Sequence, residues 1–515
     1  MIAVFYHVWL SSLALKEGRF VQIVVTGILA ASLAWLGKIF YNVYFHPLSH
    51  YPGPRLYAAS SIPLSIAQLR GRWHLFVQAA HEQYGPVVRV GPLELSYTSA
   101  IAWKDTCARR EGSNAPLPRD RTFFNEMLVD PRTMTMANNA DHARLRRALN
   151  PAFSQKALLE QESILQGNVD VLLDQIGERA RRGLTSDLRA WYNYATFDLI
   201  GDLAFGDTFG CLRNSQFHQW VQMVLDYFYA AILLQVVHRY RPLNKLLAML
   251  LPSSVVQKKE RHTQMALDKV RARTSSACMT GRHDFIHYMQ RAVEAGSITS
   301  EELEMQASII ILAGSETTSI ALTYATYFLL AHPKTLDGLR AELAEHFTRE
   351  DEITLLSVNQ LQFLQAVLQE TLRLRPPITN GFPRQTPPQG AVIDGQYVPG
   401  NTVVNVHHWA TYHSAANFLH PDDYHPERWL EDEKFAGDSR DSFQPFSVGP
   451  RDCVGKKFAY DSMKLILARL LWRYDLAIDE RSFVDGGNGK SWINAHRAYV
   501  SWHVPPLHVK VIPRR

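Results

Sequence analysis

The stretch PFSVGPRDCVGKKFAY, residues 445–460, places a single cysteine, Cys453, between glycines and directly ahead of a helical pattern. Beyond Cys453, apolar residues recur at the three- and four-residue spacing of an α-helix. A cysteine at that point faces the positive end of the helix dipole and its unpaired backbone N–H groups, which favour the thiolate. We therefore interpret Cys453 as a metal ligand or a nucleophile.

The residues around Cys453 favour a ligand for a large, flat partner. Gly449 and Gly455 remove side chains on either side, which allows a bulky group to approach the backbone. Arg451 offers a cation for an acidic group on that partner. The alternative is a buried cysteine in a glycine-containing turn. However, the pattern F-x-x-G-x-R-x-C-x-G, which begins at Phe446, has an expected chance occurrence on the order of 10⁻⁴ in such a chain.

This stretch resembles the haem-binding loop of the cytochrome P450 superfamily, in which the cysteine thiolate is the axial ligand of the haem iron. The resemblance implies that Cys453 ligates iron and that Phe446, Gly449, Arg451 and Gly455 help to bind haem b (iron protoporphyrin IX). It also implies a mainly α fold with small β-sheets. The thiolate pushes electron density onto iron and favours cleavage of bound O2. Electrons must come from outside the chain, which carries no flavin or nucleotide motif, and the resemblance implies that NADPH supplies them through a separate reductase.

A second motif of that family lies upstream, at residues 299–333. The stretch opens with a Thr-x-x-Glu capping box and ends at a proline, which predicts a helix of about thirty residues. Inside it, AGSETTS concentrates small and polar residues, although a mid-helix glycine costs about 1 kcal/mol. The resemblance implies that Ala313 and Gly314 leave room for O2 and substrate, and that Glu316 and Thr317 relay protons. The alternative is a notch for helix packing.

The third motif is a charge network. Glu370 and Arg373 lie one helical turn apart, a pair that by itself is usually a solvated ion pair. Together with Arg428 in HPERW, they match the buried network that holds the cysteine loop in shape in the family. The role implied for these three residues is structural.

The fourth motif, DHARLRRALNPAFS at residues 141–154, resembles the haem-facing helix of the family, usually W-x-x-x-R. The match implies that Arg146 binds a haem propionate. His142 replaces the tryptophan and retains the ability to bind the other propionate through a hydrogen bond. Arg384, by its position in the family, is a further propionate ligand.

These motifs imply a monooxygenase that hydroxylates or epoxidises a lipophilic small molecule. The HARLRR and PERW segments look most like membrane-bound fungal members that make polyketide, terpenoid or alkaloid secondary metabolites. Substrate contacts are expected at residues 309–313, 378–382 and 492–495. A haem-thiolate isomerase or dehydratase, an oxidative cyclase, a cysteine hydrolase and a haem carrier are the alternatives. Lys456 and Lys457 either dock the reductase or simply solvate the start of a helix.

The N-terminal region predicts a membrane protein. Residues 20–37 carry no charge and approach the ~20 residues that span a bilayer. We expect a short apolar segment at 1–19, an anchor at 20–41, a Pro/Gly hinge at 42–60 and a haem-binding catalytic domain at 61–515. A cleaved signal peptide is the alternative for the anchor. The expected location is the endoplasmic reticulum, with a single transmembrane helix and the catalytic domain in the cytosol.

Composition excludes other classes of protein. The net charge of +5 is spread along the chain without a basic block, which argues against a nucleic-acid partner. The four cysteines are far apart and form no C-x-x-C pair, so the sequence encodes neither a disulfide framework nor a zinc site.

Overall fold

A computed structural model describes residues 2–110, 115–120, 122–123, 132–240, 244–249, 253–275, 283–486, 492–493 and 496–514. Helices make up most of these residues. In chain order, helices α1 to α20 are Ile2–Tyr44, Arg55–Ala59, Ile62–Leu69, Trp73–Tyr84, Ala100–Cys107, Asn139–Leu149, Gln155–Glu160, Glu162–Arg181, Leu188–Phe205, Cys211–Asn214, Gln219–Arg239, Asn244–Ala248, Ser253–Ser275, Phe285–Glu294, Ser300–Ala331, Pro333–His346, Gln362–Leu374, His408–Tyr412, Lys456–Arg473 and Arg481–Gly486.

The strands are short and form small sheets. Strands β1 to β11 are Val87–Gly91, Glu94–Tyr97, Ser186–Asp187, Arg384–Gln385, Ala391–Ile393, Gln396–Val398, Val403–Val406, Tyr474–Ile478, Arg497–Ala498, Trp502–His503 and His508–Pro513. One sheet has the order β1-β2-β7-β4, a second has β3-β11-β8, and β5-β6 and β9-β10 are two-stranded. Strands β2 and β7 are parallel, with Glu94 opposite Val403, and the other pairs are antiparallel. The prediction of a mainly α fold with small sheets is confirmed.

Helix α15 (Ser300–Ala331) runs through the core. Thr299 and Glu302 form the predicted reciprocal capping box at its start, and Pro333 begins the next helix. Apolar side chains occur around most of its circumference, because it packs against α9, α13, α14, α17 and α19. Among the described helices it is the one long and apolar enough to cross a membrane, but 78% of its apolar window is buried within the protein. It is therefore a core helix.

The N-terminal helix α1 (Ile2–Tyr44) runs without a break through the predicted segment 1–19 and the predicted anchor 20–41. The chain then turns and enters α2 at Arg55. The Pro/Gly segment is attached to the body, because the Arg89 backbone N–H donates to the carbonyl of Pro52 at 2.7 Å and the Tyr51 hydroxyl to that of Tyr397 at 2.9 Å. The structure does not establish a membrane span in α1, and the span stays a prediction.

Candidate functional site

Cys453 lies between a 3₁₀ turn, Gly449–Arg451, and the start of α19 (Lys456–Arg473). Its backbone N–H donates to the carbonyl of Phe446 at 2.9 Å, which closes the loop. The Cys453 side chain is exposed, and desolvation raises the pKa of its thiol.

The direction of that pKa shift corrects the sequence interpretation. Helix-terminal N–H groups were expected to lower the pKa of Cys453, and the Gly455 N–H does act that way, with help from Arg146 and Lys456. Desolvation outweighs them, and Asp452 adds to it. The thiol by itself therefore stays protonated at neutral pH, and it needs a bound metal ion to become the thiolate. This favours a metal ligand over a free nucleophile.

The two glycines of the cysteine loop meet different structural requirements. Gly449 has φ +81°, and a Cβ there would lie 2.3 Å from the carbonyl oxygen of Cys107. Its small size therefore serves the packing of the loop against the end of α5 (Ala100–Cys107), and the approach of a flat partner at this glycine stays a prediction. At Gly455 the nearest atoms to a Cβ would be Phe153 Cε1 at 3.9 Å and Cys453 Sγ at 4.0 Å, so this glycine leaves space beside the sulfur.

One face of helix α15 opens onto a cavity. Ala313 is exposed in the middle of an otherwise buried stretch, and Ile309 and Thr317, one turn before and after it, are half-buried. The Thr317 hydroxyl donates to the carbonyl of Ala313 at 2.8 Å. Gly314 does not share this face as predicted, since a Cβ there would lie 2.9 Å from Ile200 Cδ1. Its role is the close packing of α15 on α9.

Glu316 lies behind this face, in a buried network with α9. Its Oε1 accepts from Arg189 Nη2 at 2.5 Å, and Arg189 Nη1 donates to Ser319 Oγ at 3.1 Å. Burial raises the pKa of Glu316, and the charge of Arg189 opposes the shift. Glu316 Oε2 has no hydrogen-bond partner among the described residues. Sequence reasoning missed Arg189, although a carboxylate on a core helix requires a cation nearby.

Arginines from three segments approach one another close to the cysteine loop, where Arg384 and Arg451 are buried and Arg119 is half-buried. Burial, followed by repulsion from Arg384, lowers the pKa of Arg451 to about 10. Burial, followed by the charges of Arg384 and Arg451, holds the pKa of Arg119 well below its usual value. Burial, followed by the charges of these arginines and of Arg146, lowers the pKa of His142 to about 3, so its imidazole is neutral. The cluster is electrostatically suited to an anion.

In this cluster, Nη1 of Arg451 and Nε of Arg384 are buried without a hydrogen-bond partner among the described residues. The other nitrogens of Arg451 donate to the Ala137 carbonyl at 2.6 Å and to Asn139 Oδ1 at 3.1 Å. Unsatisfied buried guanidinium nitrogens are costly unless an anion meets them.

Arg146 makes its hydrogen bonds beside the cysteine loop, and its role as a propionate ligand stays a prediction. Its guanidinium donates to the Asp452 carbonyl at 2.6 Å, to Asp452 Oδ1 at 2.9 Å and to Asn150 Oδ1 at 2.7 Å. The structure therefore places Arg146 on the residue that precedes Cys453, where it braces the cysteine loop.

Glu370, Arg373 and Arg428 are brought together as predicted, and all three are fully buried. Arg373 binds Glu370 through two bonds of 2.9 and 2.7 Å, and Arg428 Nε approaches Glu370 Oε1 at 3.3 Å. Sequence reasoning missed Asp438, which pairs with Arg428, and Trp429, whose Nε1 donates to Glu370 Oε2 at 2.9 Å. Two buried arginines with one glutamate require a second carboxylate, and that imbalance was the available signal.

These features fit haem. An exposed cysteine has free space beside its sulfur, a helix face with a small residue at its centre is open, and a cluster of arginines holds unsatisfied buried donors. An iron porphyrin with two propionates meets each of these requirements.

The chain also matches known proteins. Residues 52–491 match the family model described as Cytochrome P450. The cytochrome P450 monooxygenase astD of Aspergillus oryzae is 56% identical over 476 residues, which cover 92% of this chain and 91% of that protein. The trichothecene C-15 hydroxylase of Fusarium sporotrichioides is 37% identical over 92% of this chain and 95% of its own length. The averantin hydroxylase of Dothistroma septosporum is 36% identical over 98% of this chain and 94% of its own length.

Proposed function

This chain belongs to the cytochrome P450 family and is a monooxygenase of fungal secondary metabolism, and on that premise we propose that it hydroxylates or epoxidises a lipophilic small molecule. The observation that carries the proposal is the exposed Cys453 in its closed loop, together with the open face of α15 at Ala313 and Thr317. Haem, when bound, supplies the iron at which O2 is activated.

Several residues of the chain are proposed to bind that cofactor. Cys453 would ligate the haem iron, and Gly455 leaves space beside its sulfur. Arg384 and Arg451 would meet the propionates with their unpaired buried nitrogens, and neutral His142 would add a hydrogen-bond donor. Phe446 packs its ring against Tyr460 at 5.2 Å and fixes the loop from its other side.

Proton delivery is assigned to Thr317 and Glu316. The Thr317 hydroxyl is held at the cavity face by the Ala313 carbonyl, so its oxygen remains available as an acceptor. Glu316 lies one residue away, and because burial raises its pKa, the carboxyl can take up and release a proton more readily than an exposed glutamate. Water links the two side chains in this proposal.

An apolar cluster around Ile309 is the proposed substrate pocket. It joins Ile232 and Val500 with partly buried side chains from several segments, among them Ile378, Phe382 and Tyr499. The predicted contact stretches 309–313 and 378–382 therefore both contribute. In the third, residues 494–495 lie outside the described residues, and Trp492 is fully buried against Tyr327. The lining favours a lipophilic substrate.

We also propose that the protein is anchored in the endoplasmic reticulum membrane by α1. Apolar side chains along that helix are exposed, such as Ile23 at 71% and Leu33 at 69%. Exposed apolar residues continue onto the neighbouring short helix α2, with Leu56 at 74%. A continuous apolar surface of this kind fits a bilayer.

Electrons are proposed to come from NADPH through the P450 reductase. The exposed Lys456 beside the cysteine loop is the proposed contact for the acidic face of that reductase.

The carbon monoxide difference spectrum of the reduced protein tests the assignment. The wild-type protein should show the thiolate-type band, and Cys453→Ala should lose it. Cys211→Ala is the matched control, since Cys211 is buried in α10. A thiolate-type band that survives Cys453→Ala would overturn the proposal. Product formation that needs NADPH, reductase and O2 separates a monooxygenase from an isomerase or dehydratase.

A further inference from the structure

Cys107 is the last residue of α5, is buried, and has no role in any motif of the sequence. Its Sγ accepts from Arg384 Nη2 at 3.7 Å and lies 3.5 Å from Thr106 Oγ1, whose hydroxyl also donates to the Ala102 carbonyl at 2.7 Å. Its carbonyl group is the one packed against Gly449. One residue thus contacts both an arginine of the cationic cluster and the loop that carries Cys453.

Arg384 needs an orienting partner that does not neutralise it. Its hydrogen bonds are long and go to neutral acceptors, the Leu117 carbonyl at 3.4 Å and the Cys107 sulfur at 3.7 Å. Arg119, bridged to it across the chain, carries the same charge and is destabilised by it. A carboxylate at this point would bind Arg384 tightly and compete with a propionate. A thiol fixes the direction of the guanidinium and leaves its charge available.

We propose that Cys107 is a positioning residue for the propionate end of the haem site. Its thiol accepts a hydrogen bond from Arg384 and keeps the guanidinium directed to the propionate. Its backbone meanwhile sets the position of the cysteine loop through the contact with Gly449. The inference rests on the proposed haem site and adds a residue that acts through Arg384.

The test uses the haem-loaded full chain and compares Cys107→Ala, Cys107→Val and Cys107→Ser with the wild type. The first readout is the rate at which haem transfers to excess apomyoglobin, and the second is the reduction potential of the iron. Alanine and valine both remove the acceptor, and valine retains the volume. Both variants should lose haem about two- to tenfold faster, the worth of one hydrogen bond. Their potential should fall, because a propionate less well paired with Arg384 favours ferric iron.

Serine restores an acceptor, so Cys107→Ser should lie closer to the wild type in both readouts. Cys211→Ala is the control for loss of a buried thiol, since this sulfur contacts the backbone N–H of His218 at 3.5 Å and the Asp198 side chain instead of an arginine. The inference is wrong if Cys107→Val matches the wild type, which would show packing alone, or if Cys107→Ser is as impaired as Cys107→Ala. Failure of the haem proposal itself would appear separately, as a wild-type protein without the thiolate-type carbon monoxide band.

Discussion

Thr317 and Thr318 are neighbours on α15 with the same local bond, and only their surroundings differ. Each hydroxyl donates to the carbonyl four residues earlier, at 2.8 Å for Thr317 and 3.0 Å for Thr318. Thr318 is buried in the core, whereas Thr317 is half-buried on the open face with Ala313. A helix turns by about 100° per residue, so two neighbouring side chains lie on different faces, one toward the core and the other toward the open face.

Replacing Thr317 by valine should divert electrons from product to peroxide. Valine retains the volume and the branch at Cβ but removes the hydroxyl that holds a proton at the cavity face. We expect hydrogen peroxide release per NADPH consumed to rise several-fold, measured with reductase and substrate present. Thr318→Val is the matched control and should leave this ratio unchanged. Equal coupling in Thr317→Val and the wild type would remove the proposed role of Thr317.

Gly449 should tolerate no side chain. Alanine there would combine a positive φ with a contact of 2.3 Å to the backbone of Cys107, and backbone strain of this kind costs about 1–3 kcal/mol before the clash is added. Gly449→Ala should therefore lose haem, measured as the ratio of Soret to protein absorbance. Gly437→Ala, where a Cβ would meet nothing within 4 Å, is the control. Normal haem content in Gly449→Ala would contradict the packing argument.

At the scale of elements, one buried carboxylate links three segments of chain. Glu370 on α17 accepts from Arg373 on the same helix, from Arg428 in the 3₁₀ turn Pro426–Trp429 and from the backbone N–H of His425 at 3.0 Å. Arg373 extends the connection to the carbonyls of Tyr412 and Asp423, each at 2.9 Å. The segment that leads into the cysteine loop is therefore attached to α17 through charges.

Glu370→Gln should destabilise the fold strongly. The substitution leaves the two arginines with less negative charge than they need inside the protein, and breaking a buried pair costs about 3–5 kcal/mol. The urea midpoint, followed by tryptophan fluorescence, should fall accordingly. Glu178→Gln is the control, because Glu178 pairs with Arg181 at the surface, where a salt bridge contributes about 0–1 kcal/mol. Equal midpoints in the two variants would show that the network is not structural.

The same network predicts a pH dependence. Burial acts to raise the pKa of Glu370, but the charges of Arg373 and Arg428 outweigh it and hold the pKa below its usual value. A lowered pKa means that the unfolded chain binds the proton first, so the stabilisation is present above the unfolded value of about 4.3 and is lost as the pH falls through the folded pKa. The difference in unfolding free energy between wild type and Glu370→Gln should shrink below about pH 4. A difference that is constant down to about pH 3 would contradict this.

The sequence predicted which elements exist better than it predicted which side chains meet. The helix at 300–331 followed from its capping box and terminal proline, because these signals are local. The contacts of Gly314 with Ile200, of Gly449 with Cys107 and of Arg146 with Asp452 join residues far apart in the chain. Such pairings depend on how helices pack, and no local pattern records them. The same reason explains why Asp438 was missed as the second carboxylate of the charge network.

At the scale of the whole molecule, apolar surface is concentrated near the N-terminus of the chain. Helix α1 shows exposed leucine, isoleucine and phenylalanine side chains, and α2, to which it connects, continues with exposed Leu56. The charged residues of the sites described above lie instead in the helical body. Monomeric soluble proteins rarely expose a continuous apolar surface of this extent.

Two leucine-to-lysine substitutions in α1 test whether this surface is a membrane anchor. Leu29 and Leu33 are exposed and lie near the middle of the uncharged stretch 20–37. A lysine at the centre of a span costs about 2.5–3.5 kcal/mol, so the double variant Leu29→Lys, Leu33→Lys should oppose insertion by about 5–7 kcal/mol. The wild type should stay in the membrane pellet after alkaline carbonate extraction, and the variant should move to the supernatant. Leu356→Lys, at an exposed leucine in the catalytic body, is the control and should stay in the pellet.

The carbon monoxide band should be unchanged in all three proteins, because the proposed haem site lies in the body of the protein and not in α1. Retention of the double variant in the pellet would exclude α1 as the anchor and leave the apolar surface of the body as the contact with the bilayer.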